Sequence, residues 1–485
     1  MRKTGNEYYD SEEFRDMLAE YEQAVDEGQP VFLDADELSE IADYYKMTEH
    51  DDEAEHAIEL ALGLSPGAVA PLTYRIHEAL WEGDTVLARS YLEQIIERDE
   101  PDYLYDQGEI LIAEGHADEA DKLFRKEFRK IPPEEYQDYV IDVAHIFQDY
   151  EENELAMQWM TRAKHEDTPE FKELMARTLF GLGKYKDSER LFNELVDEDP
   201  FSNYYWKALA SAQFMNENYS ASVESCEYAI AIDPEDADGI LSKANALQHL
   251  NNYEEALKYY ERYSARMPDD VFALLEQGVC LINLKRTDEA IELLEKTLAM
   301  VTADDAAYAE DEEAPYLADL LQELAFAYSE KGQTDKALAC LAKTDNLDCD
   351  HVQAHVIKGH VLLTADRLEE AEEEFRLAVV TSDEPYKALL RVIVTIYDNR
   401  FVEASYQLFL KYFRIVPPGT TDGYAYMALC CYDLKRHAEF LHYLKEACRL
   451  NPSECREVLS FMFPEEVEPK DYYTYVINNM KRFES

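Results

Sequence analysis

Glycine and proline are scarce in this 485-residue chain, which holds 15 of the one and 17 of the other. Average usage is roughly 7% and 5%, so collagen-like and linker-like chains are excluded. Too little turn punctuation remains for a sandwich or barrel, which needs it every 8 to 12 residues or so. Basic residues are also few: 46 lysines and arginines face 104 aspartates and glutamates, a formal net charge of −58. That excess repels phosphate backbones and anionic lipid surfaces, so neither nucleic acid nor membrane is an expected partner. Cysteines number eight, with no CxxC and no disulfide-scaffold density, which fits a reducing cytoplasm. No apolar signal core follows Met1, and the most apolar stretch, 388–397, is interrupted by Arg391 and far short of the ~20 residues that span a bilayer. What is abundant is apolar material, 47% of residues, enough for a folded and mostly helical core.

Repetition decides the fold. Asp199-Pro200, Asp233-Pro234 and Met267-Pro268 follow one another at intervals of 34. A small residue recurs with the same period at Ala54, Ala88, Ala120, Ala156, Ser188, Ser222, Ala256, Ala290, Ala337, Ala371 and Ala404, and only the step from Ala290 to Ala337, 47 residues, is badly irregular. Two antiparallel helices that close to about 8 Å leave room only for Gly, Ala or Ser at their crossing, and a proline after the second helix ends it. Turn signals such as Gly183-Lys184-Tyr185 and Asn251-Asn252-Tyr253 separate the two helices of a unit.

The best unit, residues 203–236, carries Trp206, Leu209, Ala210, Ala229 and Pro234 at its fourth, seventh, eighth, twenty-seventh and thirty-second places. In this it resembles the tetratricopeptide repeat. The resemblance implies an all-α solenoid of about twelve 34-residue helix pairs, starting at Ala35, Val69, Pro101, Gln137, Pro169, Asn203, Ala237, Val271, Ala318, Val352, Pro385 and Thr421. The expected organisation is a capping helix in 1–34, eight repeats in 35–299, an acidic insertion in 300–317, four repeats in 318–454 and capping helices in 455–485. The amphipathic run Phe14, Leu18, Tyr21, Val25 suits the first cap. The insertion, with Glu310-Asp311-Glu312-Glu313, is expected as a solvated loop or a helix extension. Val458, Leu459, Phe461 and Met462, with Tyr472, Tyr473, Tyr475 and Val476, suit the last cap.

Catalytic signatures are missing. Gly181-Leu182-Gly183 lacks the third glycine of a dinucleotide loop, and no Walker loop, HExxH or GxSxG occurs. Asp236-Ala237-Asp238-Gly239 imitates part of a calcium loop but has Pro234 at the first ligand place and Asn245 where a bidentate glutamate is needed. Cys349, His351 and His355 could approach one another, yet His360 points away and a fourth zinc ligand is wanting. No metal, cofactor or enzymatic activity is expected.

Function should therefore lie in surfaces. The resemblance implies a groove lined by first helices, with contacts commonly at their second, fifth, ninth and twelfth places. This gives an acidic lining early, including Asp43 and Glu109, and an apolar one later: Phe272, Val279, Ile282, Phe326, Tyr386, Leu389, Ile393 and Ile396, with His360 facing the same groove. The basic clamp by which some members grip chaperone tails is not matched, since Lys207, Arg177 and Asn245 are scattered. Charge follows the same gradient: residues 1–100 carry 27 acidic and 7 basic residues, residues 385–452 carry 6 and 9. The chain looks like the long acidic tetratricopeptide proteins of bacteria. The leading expectation is a cytoplasmic scaffold or adaptor that binds a peptide or helix of a partner protein, possessing a basic flank, in its groove. A peptide-responsive sensor that changes conformation, and an enzyme with an unrecognised site, are the alternatives.

Overall fold

A computed structural model describes residues 6–9, 11–163, 168–303, 316–345, 347, 349–464, 467–479 and 483. Among these residues the regular elements are helices, and the chain divides into two compact units, Met1–Pro234 and Glu235–Ser485. Each is an α-solenoid of six helix pairs. In the first unit a short helix, Asn6–Tyr9, is followed by one at Glu12–Asp26, capped by Ser11, whose Phe14 and Tyr21 are buried against the first repeat while Val25 stays exposed. The second unit closes with helices at Pro452–Leu459 and Tyr472–Asn478; Val458, Leu459, Met462, Tyr472 and Val476 are buried there, but Phe461 is exposed. The acidic run Glu310 to Glu313 lies outside the described residues. Ahead of it the second helix of repeat 8, Thr287–Ala303, runs to 17 residues.

Repeats 1 to 11 are closed by the same small-residue crossing, whereas repeat 12 has the buried Phe440 at that place. The small residues from Ala54 to Ala371 are all buried. Twelve places earlier stands Gly108, Gly278 or Gly359 in three of the repeats, and a Cβ at each would come within 2.0 Å of Phe124, 2.5 Å of Leu294 and 2.3 Å of Phe375. No side chain fits there without displacing a ring or a leucine. Where the crossing residue is serine, its hydroxyl finds a backbone carbonyl on the facing helix: Ser188 Oγ donates to Ala176 and Ser222 Oγ to Ala210, both at 2.9 Å.

Ser405 makes the equivalent bond to Ile393 at 3.3 Å and is fully buried, while Ala404 is exposed. This corrects the register of repeat 11 by one residue. The crossing there is Ser405, the step from Ala371 is again 34, and Ile393 sits at the crossing rather than in the groove.

The two helices of each repeat are joined by a left-handed residue. Glu49, Gly83, Gly115, Glu151, Gly183, Glu217, Asn251, Lys285, Gly332, Asp366, Arg400 and Lys435 all have positive φ. The next residue's N–H reaches back five places in every case, as in Lys184 to the Leu179 carbonyl at 2.9 Å and Arg436 to the Cys431 carbonyl at 2.8 Å. This bond satisfies a carbonyl that the helix end would leave unpaired. The shortened periods of repeats 2 and 4 have a local origin: their second helices, Thr85–Gln94 and Asn153–Met160, hold only 10 and 8 residues.

Candidate functional site

Within the second unit, the first helices of repeats 8 to 11 (Val271–Asn283, Leu317–Glu330, His351–Thr364 and Pro385–Asp398) contact one another in succession. They line an open cavity of about 570 Å³. Its apolar wall is Val279, Ile282, Phe326, Val356 and Ile357, and its polar lining includes His360, Glu323, Glu330, Asp398 and Lys285.

Two rings form one side. Phe326 and His360 stack with centroids 4.9 Å apart and an interplanar angle of 22°. The histidine is oriented from the next repeat: Asn399 Nδ2 lies 2.8 Å from His360 Nδ1 and also donates to the Thr395 carbonyl at 2.8 Å. An amide nitrogen can only donate, so Nδ1 is the acceptor and the proton is assigned to Nε2. Burial lowers the histidine's pKa and keeps it neutral. His360 Nε2 is buried and has no hydrogen-bond partner.

The carboxylates behave differently from surface acids. Glu323 is set deep in protein mass while part of its surface opens on the cavity. Desolvation, with smaller contributions from Glu276 and Asp319, pushes its pKa up to about 7. Asp398 is exposed, yet the surrounding protein still desolvates it enough to raise its pKa to about 6 against the pull of Arg400. Glu330 is held by Lys285 at 3.0 Å.

Of the groove residues expected from sequence, Val279, Ile282, Phe326 and His360 line this cavity. Phe272 is half-buried and lies 5.8 Å from the Tyr316 ring. Tyr386 and Leu389 are half-buried against the core of the last repeats, and Ile396 against that of repeat 10. Ile393 is fully buried, so it presents nothing to a partner. Glu323, Val356, Ile357 and Asp398 were not expected; Glu323 and Ile357 occupy the sixth place of their repeats, one turn before the ninth.

The first helices of the first unit carry a polar network instead. Asp43 is exposed, but Glu109 lies 3.2 Å from His77 Nε2, which also lies 3.4 Å from the buried Asp106. Thr73 Oγ1 donates to Asp106 at 2.6 Å, Tyr105 to Asp142 at 3.0 Å, and Arg177 pairs with Asp149 at 3.1 Å. Burial raises the pKa of Asp106 and Asp142 and lowers that of His145.

The other sequence features have local roles. His355 binds Glu374 at 2.7 Å and His351 lies 3.8 Å from Cys349 Sγ, so the cysteine and histidines are divided among separate partners. Asp236 caps a helix by accepting from the Gly239 N–H at 3.1 Å. Gly181 passes so close to Asn153 that a Cβ would fall 2.3 Å from its side chain, and Gly183 is the left-handed turn residue.

Among known proteins, the tetratricopeptide repeat family model matches residues 174–237 and 241–310. Type IV pilus assembly protein PilF of Pseudomonas aeruginosa is 24% identical over 161 residues, 32% of this chain and 64% of that protein, so the match spans less than two thirds of the relative. Similar solved structures are PilW, a widely conserved type IV pilus biogenesis factor (18% identity, 46% of this chain, 100% of that chain, TM-score 0.38), and YrrB, a tetratricopeptide protein with an unusual peptide-binding site (22%, 38%, 88%, 0.32). MamA from Desulfovibrio magneticus RS-1 is a third (19%, 36%, 92%, 0.31). The chain therefore contains tetratricopeptide repeats within residues 174–310, and the left-handed turn recurs in every helix pair outside them, the small-residue crossing in all but the last.

Proposed function

We propose that this protein is a non-enzymatic scaffold whose second unit holds a segment of a partner protein against the first helices of repeats 8 to 11. Repeats of this family mediate protein–protein interaction through surfaces formed by stacked helices. The observation that carries the reading is a cavity with an apolar wall on these helices beside a buried, unpartnered donor, His360 Nε2. A buried N–H without an acceptor is costly, and a backbone carbonyl of an incoming chain would satisfy it. The polar network of the first unit supports a secondary contact for a basic flank, centred on the exposed Asp43. The few cysteines, with no CxxC among them, support a cytoplasmic working place.

Site-directed photo-cross-linking in intact cells tests the reading. A benzoylphenylalanine at Phe326 is expected to trap a protein partner, and one at Val380, exposed on the second helix of repeat 10, is expected to trap none. Adducts at Val380 that match those at Phe326 would move the binding surface to the second helices.

A further inference from the structure

The cavity of the second unit has more negative than positive side chains around it. Glu323, Glu330 and Asp398 line it with a single cation, Lys285, and that lysine is already engaged by Glu330. Among the described residues, Glu323 accepts no hydrogen bond and neither Glu323 nor Asp398 makes an ion pair. A carboxyl set this deep without a donor is unfavourable in its charged form, which is why its proton is held so strongly. Beside it lies the Phe326–His360 stack, a flat aromatic surface one helical turn along the same helix from Glu323.

An arginine meets each of these features. Its guanidinium is planar, stacks on aromatic faces, is more weakly hydrated than an ammonium and donates in a fork that matches a carboxylate. We propose that the cavity receives an arginine side chain of the partner segment, with Glu323 as its principal carboxylate, the Phe326–His360 pair as its stacking surface and the His360 Nε2–H bonded to a backbone carbonyl of that segment. This rests on the groove reading above and narrows it to one kind of anchor.

Three blocked pentapeptides test it, identical in their leucine flanks and differing only in a central arginine, lysine or citrulline. Citrulline keeps the shape of arginine and removes its charge. Titration calorimetry on the full chain is expected to show the arginine peptide binding at least about tenfold tighter than citrulline, with lysine between them. Glu323→Gln is expected to reduce the arginine peptide to the citrulline level, and exposed Glu254→Gln to change nothing. The comparison of peptides on the unaltered protein stands even where a variant folds poorly. Lysine matching arginine overturns the guanidinium choice. Equal binding of arginine and citrulline, lost in Phe326→Ala, overturns the cation pocket and leaves the groove standing, whereas binding that survives Phe326→Ala overturns the groove itself. Absence of saturable binding by all three peptides overturns the cation pocket, and cross-linking at Phe326 then judges the groove alone.

Discussion

The two units share one skeleton and differ on the face that their first helices present. At the ninth place the first unit carries Asp43, His77, Glu109, His145 and Arg177, whereas the second carries Asn245, Val279, Phe326, His360 and, in the corrected register, Val394. Charged neighbours in the first unit answer one another across repeats, as His77 does Glu109 and Arg177 does Asp149. In the second unit the same geometry yields a mixed cavity with an apolar wall, where His360 Nε2 is buried without a partner and Glu323 faces the opening. A solenoid constrains the eighth and twentieth places by packing and leaves the ninth free, so binding character can change along it without cost to the fold. Isolated buried polar atoms without a partner occur in both units, Gln148 Oε1 in the first and His360 Nε2 in the second, so the contrast lies in the side chains at the ninth place.

The shared skeleton is tested by the largest expected effect. Ala120→Phe in the first unit and Ala256→Phe in the second each place a ring at a crossing where the alanine is fully buried. Both should lose about 1–3 kcal/mol in urea denaturation, the usual cost of overpacking. Exposed Glu254→Ala should stay within about 0.5 kcal/mol. A clear loss in one unit and none in the other would mean that the crossings are not equivalent.

The difference in the inner faces is tested by binding. Phe326→Ala should weaken the trapped partner by about 2 kcal/mol, since an anchor in a desolvated pocket carries a large share of the free energy. Asp43→Asn should chiefly slow association and reduce its salt dependence. Calorimetry and stopped-flow kinetics at two salt concentrations separate the two outcomes; an effect of Asp43→Asn on dissociation as large as that of Phe326→Ala would erase the contrast.

Titration sharpens the same comparison. The Glu323 carboxyl is raised from its ordinary 4.5 to about 7, so the folded chain binds this proton more tightly than the unfolded chain. The stability that it contributes is present below about 4.5 and is lost as the pH rises through about 7. Glu323→Gln removes that loss. Relative to the parent, the variant should gain about 1–2 kcal/mol at about pH 8 and nothing near pH 4, read from urea midpoints. Asp106 in the first unit is also raised by burial, but Thr73 and His77 hold it, so Asp106→Asn should bring no such gain. A flat pH response in the Glu323→Gln difference would show that the carboxyl is solvated.

The helix pairs were legible because a crossing tolerates only small side chains, and a period of 34 in such residues survives wide variation elsewhere. Repeat 11 was misread because Ala404 and Ser405 are adjacent and both small; only burial and the bond to Ile393 distinguish them. That single slip carried Ile393 from the core to the groove. Val279, Ile282, Phe326 and His360 could be placed from their repeat positions, but Glu323 could not, since the sixth place is not among the usual contact places. The state of His360 was beyond reach, because it depends on Asn399, 39 residues away. Exposed Val25 and Phe461 show the reverse limit: amphipathic spacing marks a helix but not the extent of its cover.

The smallest effect concerns the turns, where the units differ again. Three of the six left-handed turn residues are glycine in the first unit, Gly83, Gly115 and Gly183, but only Gly332 is in the second. The left-handed conformation costs a residue with a Cβ roughly 1–2 kcal/mol, and glycine avoids this while losing more backbone entropy on folding. The balance favours glycine by about 0.5 kcal/mol, provided that the side chain replaced makes no contact of its own. Lys435→Gly in the second unit and Glu151→Gly in the first should therefore each raise the urea midpoint slightly at constant slope, while Gly183→Ala should lower it by about 1 kcal/mol. Lys285→Gly is the informative exception. Its side chain holds Glu330 at the cavity, so any gain in the turn is offset by a third carboxylate left without a cation. A Lys285→Gly variant as stable as Lys435→Gly would indicate that the cavity carboxylates do not feel one another.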